Sequence, residues 1–244
     1  MARLNNPADV FSNLTGFGFF RDVTSSPGDT TLDAEAAAGQ TVLSVASETN
    51  FVANDFLRVG DLGDQEIGKV EAVSSGEITL VSATTYLHEN GEVVKEVEKV
   101  LIGDIDDAGV GLEWQGNRTQ VDVATRNRRY FFTLSGVNAR LTANLENHSV
   151  ENLMLSLGLD ETAITGAGSS VDPFKGHLDP ELMDALLNHS FFFTGALKDG
   201  TTVEAHVSQI SIDVNKTINY ARQNPAVIPI AIDAGLVTWF QPGL

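Results

Sequence analysis

The sequence predicts a mainly β protein: a β-sandwich or barrel with a short flanking α-helix, carrying a small inserted β-barrel or roll. Three observations predict it. Val137 to Leu145 alternates apolar and polar residues without a slip, the period of a half-buried strand. From Val150 the apolar spacing turns helical for one short segment. Between residues 28 and 98, five short alternating runs are separated by turn signals such as Ser74–Gly76 and Glu89–Gly91.

Residues 1–27 read as an N-terminal arm and the first part of the larger domain. Asn6 and Pro7 suit the cap and first position of a short helix. The glycine-punctuated stretch Gly16–Phe20 reads as core, or as an apolar arm laid on a neighbouring subunit. Phe17, Phe19 and Phe20 are therefore candidate inter-subunit contacts. Residues 28–98 form the expected small β domain, with strands in TVLSV, DFLRVGD, EIGKVEAV, EITLV and EVVKEVEKV. That segment holds fourteen acids against Arg58, Lys69 and Lys95, so it carries −11 of the net −18. Its acids read as a solvated surface projecting outward.

Residues 99–244 form the expected larger β domain. Gly109–Trp114, Thr119–Thr125 and the long run through Leu145 are predicted strands. Ser149 offers an N-cap, Val150, Leu153, Met154 and Leu157 make the apolar stripe, and Gly158 is a natural stop. A second short helix is predicted with Asp179 as cap and Pro180 at its first position. A hairpin follows, turning at Lys198–Gly200. On its second strand Val203, Ala205 and Val207 share one phase and Ile210, Ile212 and Val214 the opposite one, which predicts a β-bulge near Ser208–Gln209. Pro229 argues that the closing strand lies at a sheet edge.

Composition narrows the chemistry. The absence of cysteine excludes disulfides, thiolate metal sites and thiol nucleophiles. No apolar run reaches the length of a membrane span, and the first residues lack the pattern of a signal peptide, so synthesis in the cytoplasm is expected. The five histidines form no HxH or HExxH pair, and no metal or cofactor is expected. Asp104–Gly109 vaguely resembles the start of a calcium loop, but its twelfth position is Gln115, so an Asp-rich turn is the expectation. His206, inside an alternating run, reads as a surface or sheet residue. No nucleophile elbow or phosphate loop is present, and no catalytic constellation emerges. A net charge of −18 disfavours gripping nucleic acid. The densest basic group, Arg126, Arg128 and Arg129, reads as a solvated turn or a salt-bridging subunit contact.

A β protein with long strands, apolar arms and no reactive site points to pairing between copies. Here the chain resembles a family. LIGDIDDAGVGLEW, LTANLENHSVENLMLSLGLD and PAVIPIAIDAG, in that order, look like the major tail protein (tail tube protein) of long-tailed bacteriophages. The likeness covers about residues 99–244. It implies hexameric rings that stack into the virion tail tube, contacts with tape measure, tail terminator and baseplate proteins, and viral DNA passing through the lumen without specific binding. It implies no enzymatic activity, cofactor or membrane. The polar strand face, Asn138, Arg140, Thr142, Asn144 and Glu146, is then the candidate lumen lining, with Arg140 paired to Glu146 or to a neighbouring chain's acid. Size and position of the segment 28–98 depart from the family pattern. The rival classes are a capsid decoration or baseplate protein, a cell-surface or carbohydrate-binding module, or an enzyme with an unfamiliar site.

Overall fold

The computed structural model describes residues 11–60, 64–121, 131–157, 164–166, 169–173, 175–176, 190–197, 200–213 and 227–240. The chain is mainly β, as its alternation predicts. The strands run β1 (Phe11–Asp22), β2 (Asp29–Thr31), β3 (Val42–Ser44), β4 (Phe56–Val59), β5 (Glu66–Ser74), β6 (Glu77–Leu80), β7 (Val93–Leu101), β8 (Ile105–Val121) and β9 (Phe131–Leu145). One helix, α1 (Val150–Ser156), follows. Then come β10 (Ile164–Thr165), β11 (Lys175–Gly176), β12 (Ser190–Leu197), β13 (Thr202–Ile212) and β14 (Ile228–Phe240). The predicted helix at Asp179 lies outside the described residues, as do Arg126, Arg128 and Arg129.

One antiparallel sheet collects most of these strands in the order β3-β6-β5-β4-β7-β1-β12-β13-β14-β9-β8, with β2 also on β7. Two cores occupy its two halves. Leu32, Leu43, Leu57, Val59, Val70, Ile78, Leu80 and Val94 pack together inside residues 28–98. Phe17, Phe19, Leu141, Leu145, Leu155, Phe191, Val207, Ile228 and Ile232 pack in the larger half. That second cluster joins β1 to β9, four strands away in the sheet, and β1 also approaches β8, so this half rolls around its core. The expected boundary at residue 98 falls inside β7, which pairs with β4 through Phe56↔Val97 and with β1 through Gly18↔Leu101.

Asn6 and Pro7, expected to open a short helix, lie outside the described residues; from Phe11 onward the chain is a strand, because β1 is pinned on both sides, by β7 and β12. Its phenylalanines are core. Phe17 is 1% exposed and Phe20 2%. The sheet alternates them: Phe17 and Phe19 face the larger core, with Phe191 at 5.9 and 6.2 Å between ring centres, while Phe20 faces the other side against Phe56 and Phe192. Gly18 between them is required. A β-carbon there would lie 2.2 Å from the Val100 carbonyl oxygen and 2.7 Å from the Phe192 ring.

The helix forms as its cap predicts. Ser149 accepts a hydrogen bond from the Asn152 backbone N–H. Asn152, 4% exposed, donates from its side chain to the carbonyls of Ile102 (2.8 Å) and Asn147 (2.9 Å), tying α1 to the backbone just before β8 and just after β9. The Asp-rich stretch expected as a turn instead opens β8, with a register shift between Ile105 and Val110.

Pro229 is not at a sheet edge, since β14 lies between β13 and β9. It is tolerated for a local reason. Among the described residues the β13–β14 pairing ends at Ile212↔Ile232, and Pro229 pairs with β9 alone, opposite Asn144. The phase slip in β13 is real but is not a bulge. Val207↔Val237, Ser208↔Leu236 and Ile210↔Ala234 keep one register, and Gln209 takes a left-handed φ of 55°. Both strands change face at the same place, β14 at Gly235.

Candidate functional site

The long strand β9 is two-faced as read. Ala139, Leu141, Ala143 and Leu145 are all buried. Arg140, Thr142, Asn144 and Glu146 are half-buried or exposed, and Asn138 occupies a β9 position of the same parity. The polar face extends across four strands. Glu113 of β8 lies opposite Arg140, Asp233 of β14 lies on its other side, and Ser211 of β13 follows. Arg140 does not pair with Glu146. It donates to Asp213 at 2.6 Å and lies 3.6 Å from Asp233. The hydrogen bond to Asp213, then the charge of Asp233, hold the guanidinium above its usual pKa. Asn144 donates to Asp106 at 2.7 Å. Three acids, Asp213, Asp233 and Glu113, thus surround one arginine on a face that otherwise carries mostly hydroxyls and amides.

Beyond this face the hairpin of β8 and β9 outruns the sheet. The pairing of β9 with β14 starts at Ala139↔Ala234. From Gly116↔Val137 to Val121↔Phe131, β9 pairs with β8 alone among the described residues. That leaves a two-stranded ribbon roughly 20 Å long at about 3.4 Å per residue. β8, 17 residues long, is also the terminal strand of the sheet among the described residues. The predicted basic group Arg126, Arg128 and Arg129 belongs to the segment joining the two strands of this ribbon, outside the described residues.

A cleft of about 500 Å³ opens between β4–β5 and β13–β14, with Lys99 of β7 in it. Sequence reasoning missed it. Phe56, Trp239 and Phe240 supply apolar walls, Lys69, Lys99 and Glu204 supply charge, and His206 adds an imidazole. Lys99 Nζ lies 2.5 Å from both Glu204 oxygens and 4.3 Å from the Phe56 ring centre. His206 is 3% exposed, caged by Phe20, Phe56 and Phe240, so it is a sheet residue but not a surface one. Burial pushes its pKa below the usual value, against the pull of Glu204. Neutral His206 donates from Nε2 to Glu204, and its buried Nδ1 has no hydrogen-bond partner among the described residues. Burial alone would raise the Glu204 carboxyl; the hydrogen bonds from His206 and Lys99 outweigh it and hold it low. The signal available in sequence was Glu204 and His206 two apart in one strand, hence on one face.

No family model matches the chain, and no curated protein matches it. Among solved structures the chain is similar to the Gp54 tailspike of Acinetobacter baumannii bacteriophage AP22 in complex with A. baumannii capsular saccharide. The identity is 17%, the TM-score 0.28, and the match covers 33% of this chain and 15% of that one.

Proposed function

We propose that this chain is a structural subunit that joins copies of itself through strand edges into stacked rings, forming a tail tube of the long-tailed-phage type. The observation that carries this reading is the β8–β9 ribbon. An isolated two-stranded ribbon is marginal in water, and an unpaired strand edge is a template for another chain. A neighbouring copy that pairs with β8 stabilises both. The resemblance of residues 99–244 to tail tube proteins supports the same reading.

Within such a ring the polar face around Arg140 lines the channel. Its arginine is neutralised by Asp213 and Asp233, so it offers phosphate no free cation. The test is negative-stain electron microscopy and sedimentation of the purified chain. Rings or stacked annuli are the expected result. A strict monomer at high concentration refutes the reading. Shortening the ribbon to Gly116 and Val137 with a tight turn is expected to abolish assembly while leaving the thermal transition of the monomer in place. Replacing Glu146, exposed at the end of the polar face, by Lys is expected to leave tubes intact but slow DNA release from virions. Unchanged release removes this face from the lumen.

A second reading rests on the cleft at His206. Aromatic walls with one acid, Glu204, and two lysines, Lys69 and Lys99, suit a saccharide, whose C–H faces stack and whose hydroxyls fill polar partners. Trp239→Ala then abolishes any signal on a glycan array without affecting assembly, whereas no glycan signal from the intact chain dismisses this reading.

A further inference from the structure

The segment 28–98 contains a cluster that neither the assembly surface nor the cleft uses. Asp64, His88 and Glu92 present ligand atoms that all lie within 4.8 Å of one another. Gly60 and Asp64 lie on one loop, between β4 and β5. His88 and Glu92 lie on another, between β6 and β7, four residues apart around the turn at Gly91. The two loops meet at Gly60. A β-carbon on Gly60 would sit 3.0 Å from Asp64 Oδ1, 3.1 Å from Glu92 Oε2 and 3.1 Å from His88 Nδ1. Three donor atoms therefore ring one small space, left open by a glycine whose φ of 77° also favours no side chain.

The histidine is held as a ligand would be. It is 0% exposed, and its Nε2 lies 2.7 Å from Glu66 Oε1. Glu66 is itself fixed, accepting from the backbone N–H groups of Thr85 at 2.8 Å and Tyr86 at 3.4 Å. A carboxylate behind one imidazole nitrogen orients the ring and raises the basicity of the other, an arrangement that recurs behind metal-bound histidines. Here the other nitrogen, Nδ1, faces Glu92 Oε2 at 2.8 Å with Asp64 beyond.

We propose that Asp64, His88 and Glu92 bind one divalent transition-metal ion, with Glu66 as the positioning carboxylate behind His88. One imidazole nitrogen and two carboxylate oxygens suit zinc or its neighbours rather than calcium or magnesium, which take oxygen ligands. Metal–ligand bonds of about 2.0–2.2 Å require only small side-chain rotations from these separations. The ion fastens the β4–β5 loop to the β6–β7 loop. This inference is independent of the assembly reading, since all four residues lie outside the larger core and the ribbon.

The experiment uses the full, untagged chain stripped with chelator. Zinc chloride is titrated calorimetrically in excess magnesium, and cobalt(II) is titrated by its visible absorption. One saturable equivalent is expected, with cobalt bands that signal nitrogen and oxygen ligation. Asp64→Asn, which leaves the Glu66–His88–Glu92 contacts in place, is expected to weaken zinc binding by about tenfold or more. Its metal-free melting curve stays that of the parent. Glu92→Gln provides the second ligand test, and Glu89→Gln, an acid on the same turn, leaves binding unchanged. Absence of saturable binding overturns the site. So does binding that Asp64→Asn and Glu92→Gln leave intact, which marks surface acids as its source.

Discussion

At the scale of single residues, burial and partners set behaviour that composition hides. Phe191 is fully buried between Phe17 and Phe19, so Phe191→Ala is expected to cost about 3–5 kcal/mol, read from chemical denaturation. The two histidines buried among the described residues, His88 and His206, have their pKa values moved in opposite directions. At His88 burial alone would lower the pKa, but hydrogen bonds to Glu66 and Glu92 outweigh it and hold it above its usual value. At His206 burial dominates and the pKa is depressed. A depressed histidine is neutral in the fold while the unfolded chain still binds a proton. Its contribution is therefore complete above pH 6.5 and is lost as the pH falls from there toward the folded value. His206→Gln, which cannot charge, is expected to lose this slope. The denaturation midpoints of the parent and the variant should converge as the pH is lowered from 7 to 5. Parallel midpoints over that interval contradict a depressed His206.

At the scale of elements, local pattern was legible wherever one face is buried and the other wet. β9 and α1 were readable because alternation and the Ser149 cap are short-range signals that tertiary structure did not override. β3 to β7 were readable for the same reason. β1 was not, because its strand state comes from pairing with β7 and β12, whose partners lie about 80 and 180 residues downstream. The double-faced β13 was half legible. Its change of phase is in the sequence, but the device is a left-handed Gln209 opposite Gly235, and sequence does not distinguish that from an inserted residue. The device is testable. A β-branched residue tolerates a φ of 55° poorly, so Gln209→Val is expected to cost about 1–2 kcal/mol, while Gln209→Gly is neutral or stabilising. Equal stability of the two variants in urea titrations rejects strain at this position. The cleft and the His88 cluster were illegible for a single reason. Each gathers side chains from separate loops or strands, and pairs close in sequence, His88 with Glu92 and Glu204 with His206, do not by themselves announce the residues that join them.

At the scale of the molecule, charge and strand edge oppose one another. The chain carries −18 overall, so two copies brought together repel across any acidic faces that approach within a Debye length. In the proposed assembly, the edge of β8 and the ribbon beyond it would associate by backbone pairing, which salt scarcely weakens. Under the proposed assembly, any pairing of Arg126, Arg128 and Arg129 with a neighbour's acids would act in the reverse sense, since salt screens attraction as readily as repulsion. The balance of charge decides between them: three arginines on one segment stand against 33 acids over the chain. Raising ionic strength from about 0.02 to 0.3 M shortens the Debye length from roughly 20 Å to below 10 Å and so removes more repulsion than attraction. Assembly is therefore expected to strengthen with salt, seen as a lower critical concentration in sedimentation at fixed pH. Assembly that weakens with salt assigns the contact to the arginines instead of the strand edge. Replacing all three by Gln then separates the cases, because an edge-driven polymer survives that change and an ion-paired one does not.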